Sequence, residues 1–300
     1  MNSSDPLTPR PPLPRKERGG ERTNPRPWEG EGGEPQRAGR GRLDVVIPAG
    51  GTIDAAYARS LGTGHRALAP LGPGRAPVMQ RVVDALRGSG CVRRVIGVAP
   101  PAVQEAVGGV DEWLPSGGSG PDNIRAGLAL ADPNAPALVC TSDLPLLTAA
   151  SVREFVERAH PRADVSLGVV SAAAYERAYP DSPMSVFVPF ADAGPVTMSC
   201  LFQVRPVLLA HNARLLDRAF AGRKSQLQMA SLLGPRLLGQ FALRRLSLRA
   251  VQARAETLLG CRADVLIDVP PDLAFDMDTA DDYAYADTRL QTPVEETVAP

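Results

Sequence analysis

Short apolar runs alternate with segments of helical spacing, and this alternation constrains the fold more than any other feature of the chain. The run Leu43–Pro48 ends in Ala49-Gly50-Gly51, which predicts a buried strand followed by a glycine turn. Further strands are predicted at Arg94–Val98, Ala137–Thr141 and Asp164–Val170, and helices at Val78–Leu86, Asp122–Leu130 and Thr148–Ala159. Strands that alternate with helices of about ten residues favour a mostly parallel sheet with helices on both faces.

The pattern changes in the C-terminal part of the chain. Ser185–Phe190 and Val196–Val204 read as an antiparallel pair, and Arg205–Gly260 is rich in leucine at helical spacing. A last strand is predicted at Ala263–Val269 and a last helix at Thr279–Leu290, with the first threonine as its cap. The predicted fold class is therefore α/β, a three-layer sandwich around a mostly parallel sheet, with a helix-rich C-terminal part.

The apolar patterning begins at Leu43, which divides the chain into parts. Residues 1–42 are rich in proline, arginine and glycine and contain few aliphatic residues, so they are predicted to form a disordered tail. Its arginines could alternatively touch an acidic partner. Residues 43–290 are predicted to form one domain, because a chain of 300 residues with 44% hydrophobic residues can bury a sizeable core. Residues 291–300 are expected to fray.

Composition excludes several classes of function. Lys+Arg and Asp+Glu both total 33, so no excess of positive charge supports bulk nucleic-acid binding. The three histidines and four cysteines are scattered, which argues against a zinc cluster and favours reduced, buried cysteines. No run reaches the ~18–20 apolar residues of a membrane helix, and the N-terminus lacks the apolar run of a secretory signal. Cytoplasmic location without membrane contact is expected, and the oligomeric state stays open.

The glycine turn after the first strand is one candidate binding element. In open parallel sheets, ligands bind beyond the carboxyl ends of the strands, and glycines let backbone N–H groups approach a phosphate or a base. A plain strand-to-loop turn would use the same residues. Ala49-Gly50-Gly51 lacks the Gly-Lys-Ser/Thr ending of a Walker loop, and no Gly-x-Gly-x-x-Gly motif of dinucleotide-binding folds opens a helix here.

A carboxylate at the end of another strand is the candidate metal ligand. Asp143 follows the run Ala137–Thr141, at the sheet edge where ligands bind. Mg²⁺ prefers one or two protein carboxylates together with substrate phosphates, so this position suits that ion. A residue that merely ends a strand before Pro145 would show the same pattern, and the residues themselves leave both readings open.

Two further loops carry residues that could bind a ligand. Gly117–Ile124 leads into a predicted helix, so its free N–H groups could face an anion or a base edge; a flexible linker is the alternative. Asp276 and Asp278 could both reach a metal ion if their segment bends, because on a regular strand they would face opposite sides. Asp278 could alternatively do no more than cap the helix that follows.

Taken in order, these motifs resemble the MobA-like NTP transferase family, which includes molybdenum-cofactor guanylyltransferases and cytidylyltransferases. The resemblance rests on the strand into Ala-Gly-Gly, the helix Pro-Val-Met-x-x-Val-Val-Asp-Ala-Leu, the strand into Ser-Asp-x-Pro-Leu-Leu and the late Phe-Asp-Met-Asp-Thr-Ala-Asp-Asp. It covers about Leu43 to Tyr285. The resemblance implies a Rossmann-like fold of the nucleotide-diphospho-sugar transferase type.

The resemblance also implies a role for each candidate residue. Ala49, Gly50 and Gly51 would contact the base and ribose, and Ser119 and Asn123 would lie beside the nucleotide. Asp143 would hold Mg²⁺ against the triphosphate, with Asp276 or Asp278 as a second metal ligand. The implied reaction is attack by a phosphorylated small-molecule acceptor on the α-phosphate of an NTP, which releases pyrophosphate.

The sequence departs from the family pattern at two places. Arg66 stands where the family carries a lysine, and it is expected to neutralise triphosphate charge; Arg59 is a candidate for the family's first basic residue. The segment Thr197–Cys200 lacks the glycines and asparagine expected of an acceptor loop. A catalytically degenerate nucleotide-binding protein is therefore the alternative to an active enzyme. A metal-dependent glycosyltransferase, suggested by Asp276 and Asp278, is disfavoured because that pair lies too near the C-terminus.

Overall fold

The computed structural model describes residues 41–53, 55–183, 185–222 and 234–291. These residues belong to one compact unit. The predicted tail lies outside the described residues except for Gly41 and Arg42, and so does the predicted frayed end after Gln291. Both therefore stay predictions. Within the described ranges, no helix is long and apolar enough to cross a membrane.

An eight-stranded sheet forms the centre of the domain. Its strands are β1 (Leu43–Pro48), β4 (Val92–Ala99), β5 (Glu112–Pro115), β6 (Ala137–Cys140), β7 (Val165–Ser171), β8 (Val188–Phe190), β9 (Gly194–Val204) and β10 (Ala263–Ile267). The order is β10-β7-β9-β6-β1-β4-β5, and β8 also pairs with β9. Strand β9 is antiparallel to β6, β7 and β8, whereas the other pairings are parallel. A small separate hairpin joins β2 (Pro70–Leu71) and β3 (Ala76–Pro77).

Helices cover both faces of this sheet. They are α1 (Ala55–Leu61), α2 (Val78–Gly88), α3 (Pro101–Ala106), α4 (Gly120–Leu128), α5 (Ala149–Arg158), α6 (Ala172–Ala178), α7 (Pro206–His211), α8 (Ala213–Gly222), α9 (Pro235–Ala242), α10 (Leu248–Leu259) and α11 (Ala280–Gln291). Successive residues of β1 point to opposite faces. Val45 and Ile47 join a core that includes side chains of α2 and α5, whereas Val46 joins a core that includes Leu128 of α4 and Leu209 of α7. The predicted three-layer α/β class is confirmed.

Most predicted elements appear close to their predicted positions. Strand β1 has the predicted bounds, and Thr148 caps α5 by accepting a hydrogen bond from the Ser151 N–H at 3.1 Å. Helix α4 begins two residues earlier than predicted, because Ser119 and Asp122 form a capping box at its start. The antiparallel pair is confirmed as β8 and β9. The prediction missed α1, α3, α6, β5 and the small hairpin, which are too short to show a clear periodicity.

Helix α4 packs closely on the sheet through a glycine. A Cβ atom at Gly127 would lie 2.3 Å from Cγ1 of Val46, so no larger residue fits there without a shift. This close approach holds the C-terminal part of α4 against β1 and β4, and nearer its N-terminus Asn123 lies against Gly50 in the loop after β1. The loop before α4 is thereby held at the sheet edge where ligands bind in folds of this kind.

Candidate functional site

Three loops meet at the carboxyl edge of the sheet. Strands β5, β4, β1 and β6 are adjacent and parallel, so their carboxyl ends lie along one edge. The loop after β1 carries Ala49–Gly51, the loop after β5 carries Ser116–Ser119, and the loop after β6 carries Thr141–Asp143. Sequence reasoning placed candidate residues in each of these loops, and the structure brings the three loops together.

The glycine loop packs directly against the loop before α4. A Cβ atom at Gly50 would lie 3.1 Å from Cβ of Ser116 and 3.2 Å from Nδ2 of Asn123, so any side chain there would require these neighbours to shift slightly. Asn123 is buried, and its Oδ1 accepts a hydrogen bond from the Gly117 N–H at 3.0 Å. Ala49 is buried beneath the loop, and Gly51 is exposed. Gly51 is therefore accessible from solvent, whereas Gly50 is half-buried.

Ser119 has a structural task at the start of α4. Its hydroxyl donates to Oδ2 of Asp122 at 2.7 Å, and its backbone N–H donates to the same oxygen at 2.8 Å. These hydrogen bonds from Ser119 are the main reason that the pKa of Asp122 lies below its ordinary value. Ser119 is exposed at the N-cap of α4, the helix that carries Asn123, and its contact with a nucleotide stays a prediction.

Arg66 is held beside the glycine loop by its own backbone. Its N–H donates to the carbonyl oxygen of Gly51 at 3.1 Å, and the Ile53 N–H donates to Gly64 at 3.1 Å. Gly51 and Arg66, which the sequence connected only through the family resemblance, are therefore neighbours. The Arg66 side chain then extends to two carboxylates: Nη1 lies 2.9 Å from Oδ2 of Asp143 and 2.6 Å from Oδ1 of Asp278.

A backbone hydrogen bond joins the late acidic segment to the end of β6. The Met277 N–H donates to the carbonyl oxygen of Asp143 at 3.1 Å, and the side chains of Phe275 and Met277 are buried in the core. This anchor brings Asp276 and Asp278, on either side of Met277, to the region of Asp143. The pair is far apart in sequence from Asp143, and only the fold brings the three carboxylates into one region.

Asp278 does not cap the last helix with its side chain. The hydroxyl of Thr279 accepts from the Asp282 N–H at 3.2 Å, and Oδ2 of Asp282 accepts from the Thr279 N–H at 2.7 Å. These two residues form the cap, as predicted for Thr279. The carboxylate of Asp278 is directed to Arg66 instead, which does not support the capping alternative.

The site carries more negative than positive charge. Burial, followed by the charges of Asp143 and Asp278, raises the pKa of Asp276 to about 7. Burial lowers the pKa of Arg66, but the charges and hydrogen bonds of Asp143 and Asp278 outweigh burial and leave that pKa above its ordinary value. The carboxylates of Asp143 and Asp278 thus face one guanidinium, and this excess of negative charge favours a further cation.

Two buried atoms of the Arg66–Asp143 pair lack a hydrogen-bond partner among the residues that the structure describes. They are Oδ1 of Asp143, a residue only 8% exposed, and Nε of Arg66. Buried polar atoms are normally paired, and unpaired ones mark places where a ligand, ion or water completes the site. Asp143 therefore has one oxygen on Arg66 and one oxygen free to bind another group.

The donor chemistry of this site fits Mg²⁺. Asp143 and Asp278 offer hard oxygen atoms, and Mg²⁺ needs only one or two protein carboxylates when substrate phosphates and water complete its shell. In the described part of the chain, no group of three or more His, Cys, Asp or Glu residues is arranged to hold a metal ion by itself. The assignment of Asp143, Asp276 and Asp278 as metal ligands stays a prediction that requires phosphate oxygens.

Some features of the site were not predicted from sequence. Ser116 lines the glycine loop, but the half-buried strand before it is too short to show an apolar run. Thr197–Cys200, expected as an acceptor loop, lies within strand β9 and pairs with β7, where Val169 faces Met198. Outside the three loops, a cavity of about 220 Å³ is lined by Tyr175, Glu176, Tyr179, Pro180–Pro183, Ser185 and Phe187, and the ring of Tyr175 stacks on Phe275.

Comparison with known proteins identifies relatives of this fold. The family described as the MobA-like NTP transferase domain matches residues 45–240. A hypothetical transferase from Thermus thermophilus is 30% identical, with 81% of this chain and 99% of that chain covered and a TM-score of 0.69. A nucleotidyl transferase from Methanothermobacter thermautotrophicus is 16% identical, with 83% and 97% covered and a TM-score of 0.50.

A third solved structure has the same fold. The 4-diphosphocytidyl-2C-methyl-D-erythritol synthase from Anaerococcus prevotii is 12% identical, with 84% of this chain and 99% of that chain covered and a TM-score of 0.50. The search of curated protein sequences gives no match. At these identities, the second and third structures show a shared fold and nothing more.

Proposed function

Because the chain belongs to the MobA-like NTP transferase family, we propose that it transfers an NMP group from an NTP to a phosphorylated small-molecule acceptor. The observation that carries this proposal is the meeting of the glycine loop, Asn123, Arg66 and Asp143 at one edge of the sheet. Backbone donors, an amide, a fixed cation and a carboxylate are the groups that bind a nucleotide and its phosphates.

The glycine loop and Asn123 form the proposed site for the base and ribose. Ser116 and Asn123 lie against Gly50, and Gly51 beside it is exposed. Backbone N–H and carbonyl groups can read the edge of a base without a side chain in the way. Ala49 fixes this backbone, because its N–H donates to the carbonyl oxygen of Val98 at 2.8 Å.

Arg66 and Asp143 form the proposed site for the triphosphate. The guanidinium of Arg66 can bind phosphate oxygens in a bidentate manner, and Asp143 would hold Mg²⁺ together with Asp276 or Asp278. When bound, Mg²⁺ would neutralise the charge that develops on the leaving pyrophosphate. An acceptor phosphate oxygen forms a bond to the α-phosphorus, and the bond between that phosphorus and the α,β-bridging oxygen breaks.

This reaction needs positioning and charge neutralisation more than acid–base chemistry. The chain supplies both requirements with groups on rigid elements. Arg66 is fixed by a backbone hydrogen bond to Gly51, and Asp143 is fixed by the end of β6 and by the Met277 N–H. The family membership and this arrangement together support an enzyme; the base of the NTP and the identity of the acceptor stay open.

One observation favours the second candidate, a nucleotide-binding protein without turnover. Arg66 contacts both Asp143 and Asp278, so the carboxylates proposed to hold the metal ion are already neutralised in part. A protein in which this arrangement persisted with nucleotide bound would bind an NTP weakly and would not transfer it. The two candidates differ in whether pyrophosphate is released.

Incubation with each of the four NTPs, Mg²⁺ and a panel of phosphorylated acceptors tests the proposal, with pyrophosphate release and equilibrium NTP binding as the two measurements. Asp143→Asn should lower Mg²⁺-dependent turnover by about 100-fold or more, since it removes charge from the proposed metal site without changing size. Glu154→Gln is the matched control, because this exposed carboxylate pairs with Arg158 on α5, outside the three loops of the site.

The possible results separate the two candidate functions and test the role of Asp143. NTP binding without pyrophosphate, under all four nucleotides, would favour the binding protein. Turnover with unchanged Mg²⁺ dependence in Asp143→Asn would remove Asp143 from the metal site. If that variant lost its cooperative thermal transition, Asp143 would have a structural role in joining β6 to the acidic segment.

A further inference from the structure

We propose that Arg66 is an internal counter-cation that competes with the divalent metal ion for Asp143 and Asp278. In this arrangement, the metal ion binds tightly only after Arg66 has left the carboxylates for the phosphates of a nucleotide. The inference rests on the metal site of the proposed function, and it concerns the order in which that site is filled.

The geometry excludes a metal ion that bridges Asp143 and Asp278 while Arg66 lies between them. A single atom, Nη1 of Arg66, lies 2.9 Å from Oδ2 of Asp143 and 2.6 Å from Oδ1 of Asp278, so it occupies the space between the two carboxylates. Mg²⁺ binds its oxygen ligands at about 2.0–2.1 Å, so an ion that bridged Asp143 and Asp278 would need the space that Nη1 occupies. Repulsion between the guanidinium and a divalent ion adds to this overlap.

The observed arrangement leaves both partners incompletely satisfied. Nε of Arg66 and Oδ1 of Asp143 are buried without a hydrogen-bond partner among the described residues. An arrangement in which phosphate oxygens accept from Arg66 and a cation binds Asp143 would satisfy both atoms. Such a pair of unmet groups indicates that the ion pair is one of two states rather than a permanent structural bond.

The two side chains that would have to move, those of Arg66 and Asp278, both reach solvent. The side chain of Asp278 is 67% exposed and that of Arg66 is 24% exposed, so both have a path to solvent. The backbone of Arg66 stays fixed by its hydrogen bond to Gly51, which keeps the guanidinium within the reach of one side chain. The exchange therefore requires a change of side-chain rotamer and no rearrangement of the sheet.

The exchange couples nucleotide binding to metal binding. When phosphate oxygens bind the guanidinium, the carboxylates become available to the metal ion. When a metal ion binds the carboxylates, the guanidinium becomes available to phosphates. By linkage, each ligand should raise the affinity for the other by the same factor. Without nucleotide, the guanidinium suppresses metal binding and prevents the two carboxylates from repelling each other.

Binding of Mn²⁺ alone, measured by electron paramagnetic resonance or calorimetry without nucleotide, tests this inference. Arg66→Gln should bind Mn²⁺ at least about tenfold more tightly than the wild type, because two charge-assisted hydrogen bonds no longer have to be broken. Arg75→Gln is the matched control, since it removes an arginine that pairs with Asp287 at 3.3 Å, and its Mn²⁺ affinity should be unchanged. Equal or weaker Mn²⁺ binding by Arg66→Gln would overturn the proposal.

A second measurement uses the unaltered protein and does not depend on the folding of the variant. Chemical modification with phenylglyoxal, quantified by mass spectrometry of the peptide that contains Arg66, should become faster as Mn²⁺ is added, while modification of Arg75 stays constant. A rate at Arg66 that does not change up to saturating Mn²⁺ would contradict the exchange. Both measurements are independent of turnover: pyrophosphate release could fail while the exchange is observed, or the reverse.

Discussion

A buried carboxylate near the start of strand β1 offers a quantitative test of how this fold is stabilised. Asp44 on β1 has a side chain that is 2% exposed, and it accepts hydrogen bonds from two neighbouring arginines of β4. Arg93 donates to its two oxygens at 2.9 and 2.7 Å, and Arg94 donates at 3.3 and 2.9 Å. The Asp132 N–H donates to the same carboxylate at 3.3 Å. Asp44→Asn would remove the charge and keep the shape.

These contacts determine how far Asp44→Asn should lower the free energy of unfolding. Removal of one partner of a fully buried ion pair costs about 3–5 kcal/mol. The arginine side chains here are 49% and 36% exposed, so water can solvate them after the change. We therefore expect Asp44→Asn to lower the free energy of unfolding by about 2–3 kcal/mol, which is below the fully buried case. For a domain of this size, that loss corresponds to a decrease in Tm of about 5–10 °C.

The stability that Asp44→Asn removes should depend on pH. Burial alone would raise the pKa of Asp44, but hydrogen bonds and charges of Arg94 and Arg93 outweigh burial and leave that pKa below its ordinary value. A carboxyl whose pKa is lower in the folded state stabilises the fold above its unfolded pKa of about 3.9. This contribution is lost as the pH falls through the folded pKa. The Tm difference between wild type and Asp44→Asn should be full at pH 7 and should shrink below about pH 4.

Thermal unfolding followed by circular dichroism at several pH values measures both effects. Glu154→Gln is the matched control, because this exposed carboxylate pairs with Arg158 at 2.8 Å and should change stability by less than about 1 kcal/mol. Comparison with the wild type at each pH cancels the contributions of other titrating groups. An unchanged Tm at pH 7 for Asp44→Asn, or a difference that persists undiminished at pH 3, would refute the reasoning.

Four further predictions concern the tail, the glycines and the basic residue of the site. A chain that begins at Arg42 should keep the Tm of the full chain, because residues 1–42 show no apolar periodicity; a decrease of many degrees in calorimetry would contradict this. Gly50→Ala should weaken NTP binding in calorimetry while leaving Tm nearly unchanged, since its Cβ would displace Ser116 and Asn123 slightly. Gly127→Val should lower stability to urea by about 1–3 kcal/mol or more by overpacking against β1. Arg66→Ala should lose about 1.5–3 kcal/mol of NTP affinity and Arg66→Lys should retain much of it, whereas equal affinities would remove Arg66 from the site.

The alternation of apolar runs and helical segments determined the layers of this fold. A strand whose residues are apolar on both faces, as Val45, Val46 and Ile47 are in β1, can be buried on both faces only if helices cover both faces. The sequence therefore predicted the parallel sheet and the edge at which Ala49–Gly51 and Asp143 would meet, because the carboxyl ends of parallel strands share one edge. The side chains available at that edge are the residues that directly follow each strand, and the sequence displays these directly.

Tertiary structure alone decided which of these groups contact one another. Strand β9 was predicted as part of a hairpin, but its insertion between β6 and β7 depends on pairings with strands distant in sequence. Arg66 meets Asp143 across 77 positions and Asp278 across 212 positions. Local propensity contains no information about such contacts, because they depend on packing of the whole core and on the closure of long loops. The sequence supplied one cation and three carboxylates, and the fold determined that the cation would lie between two of them.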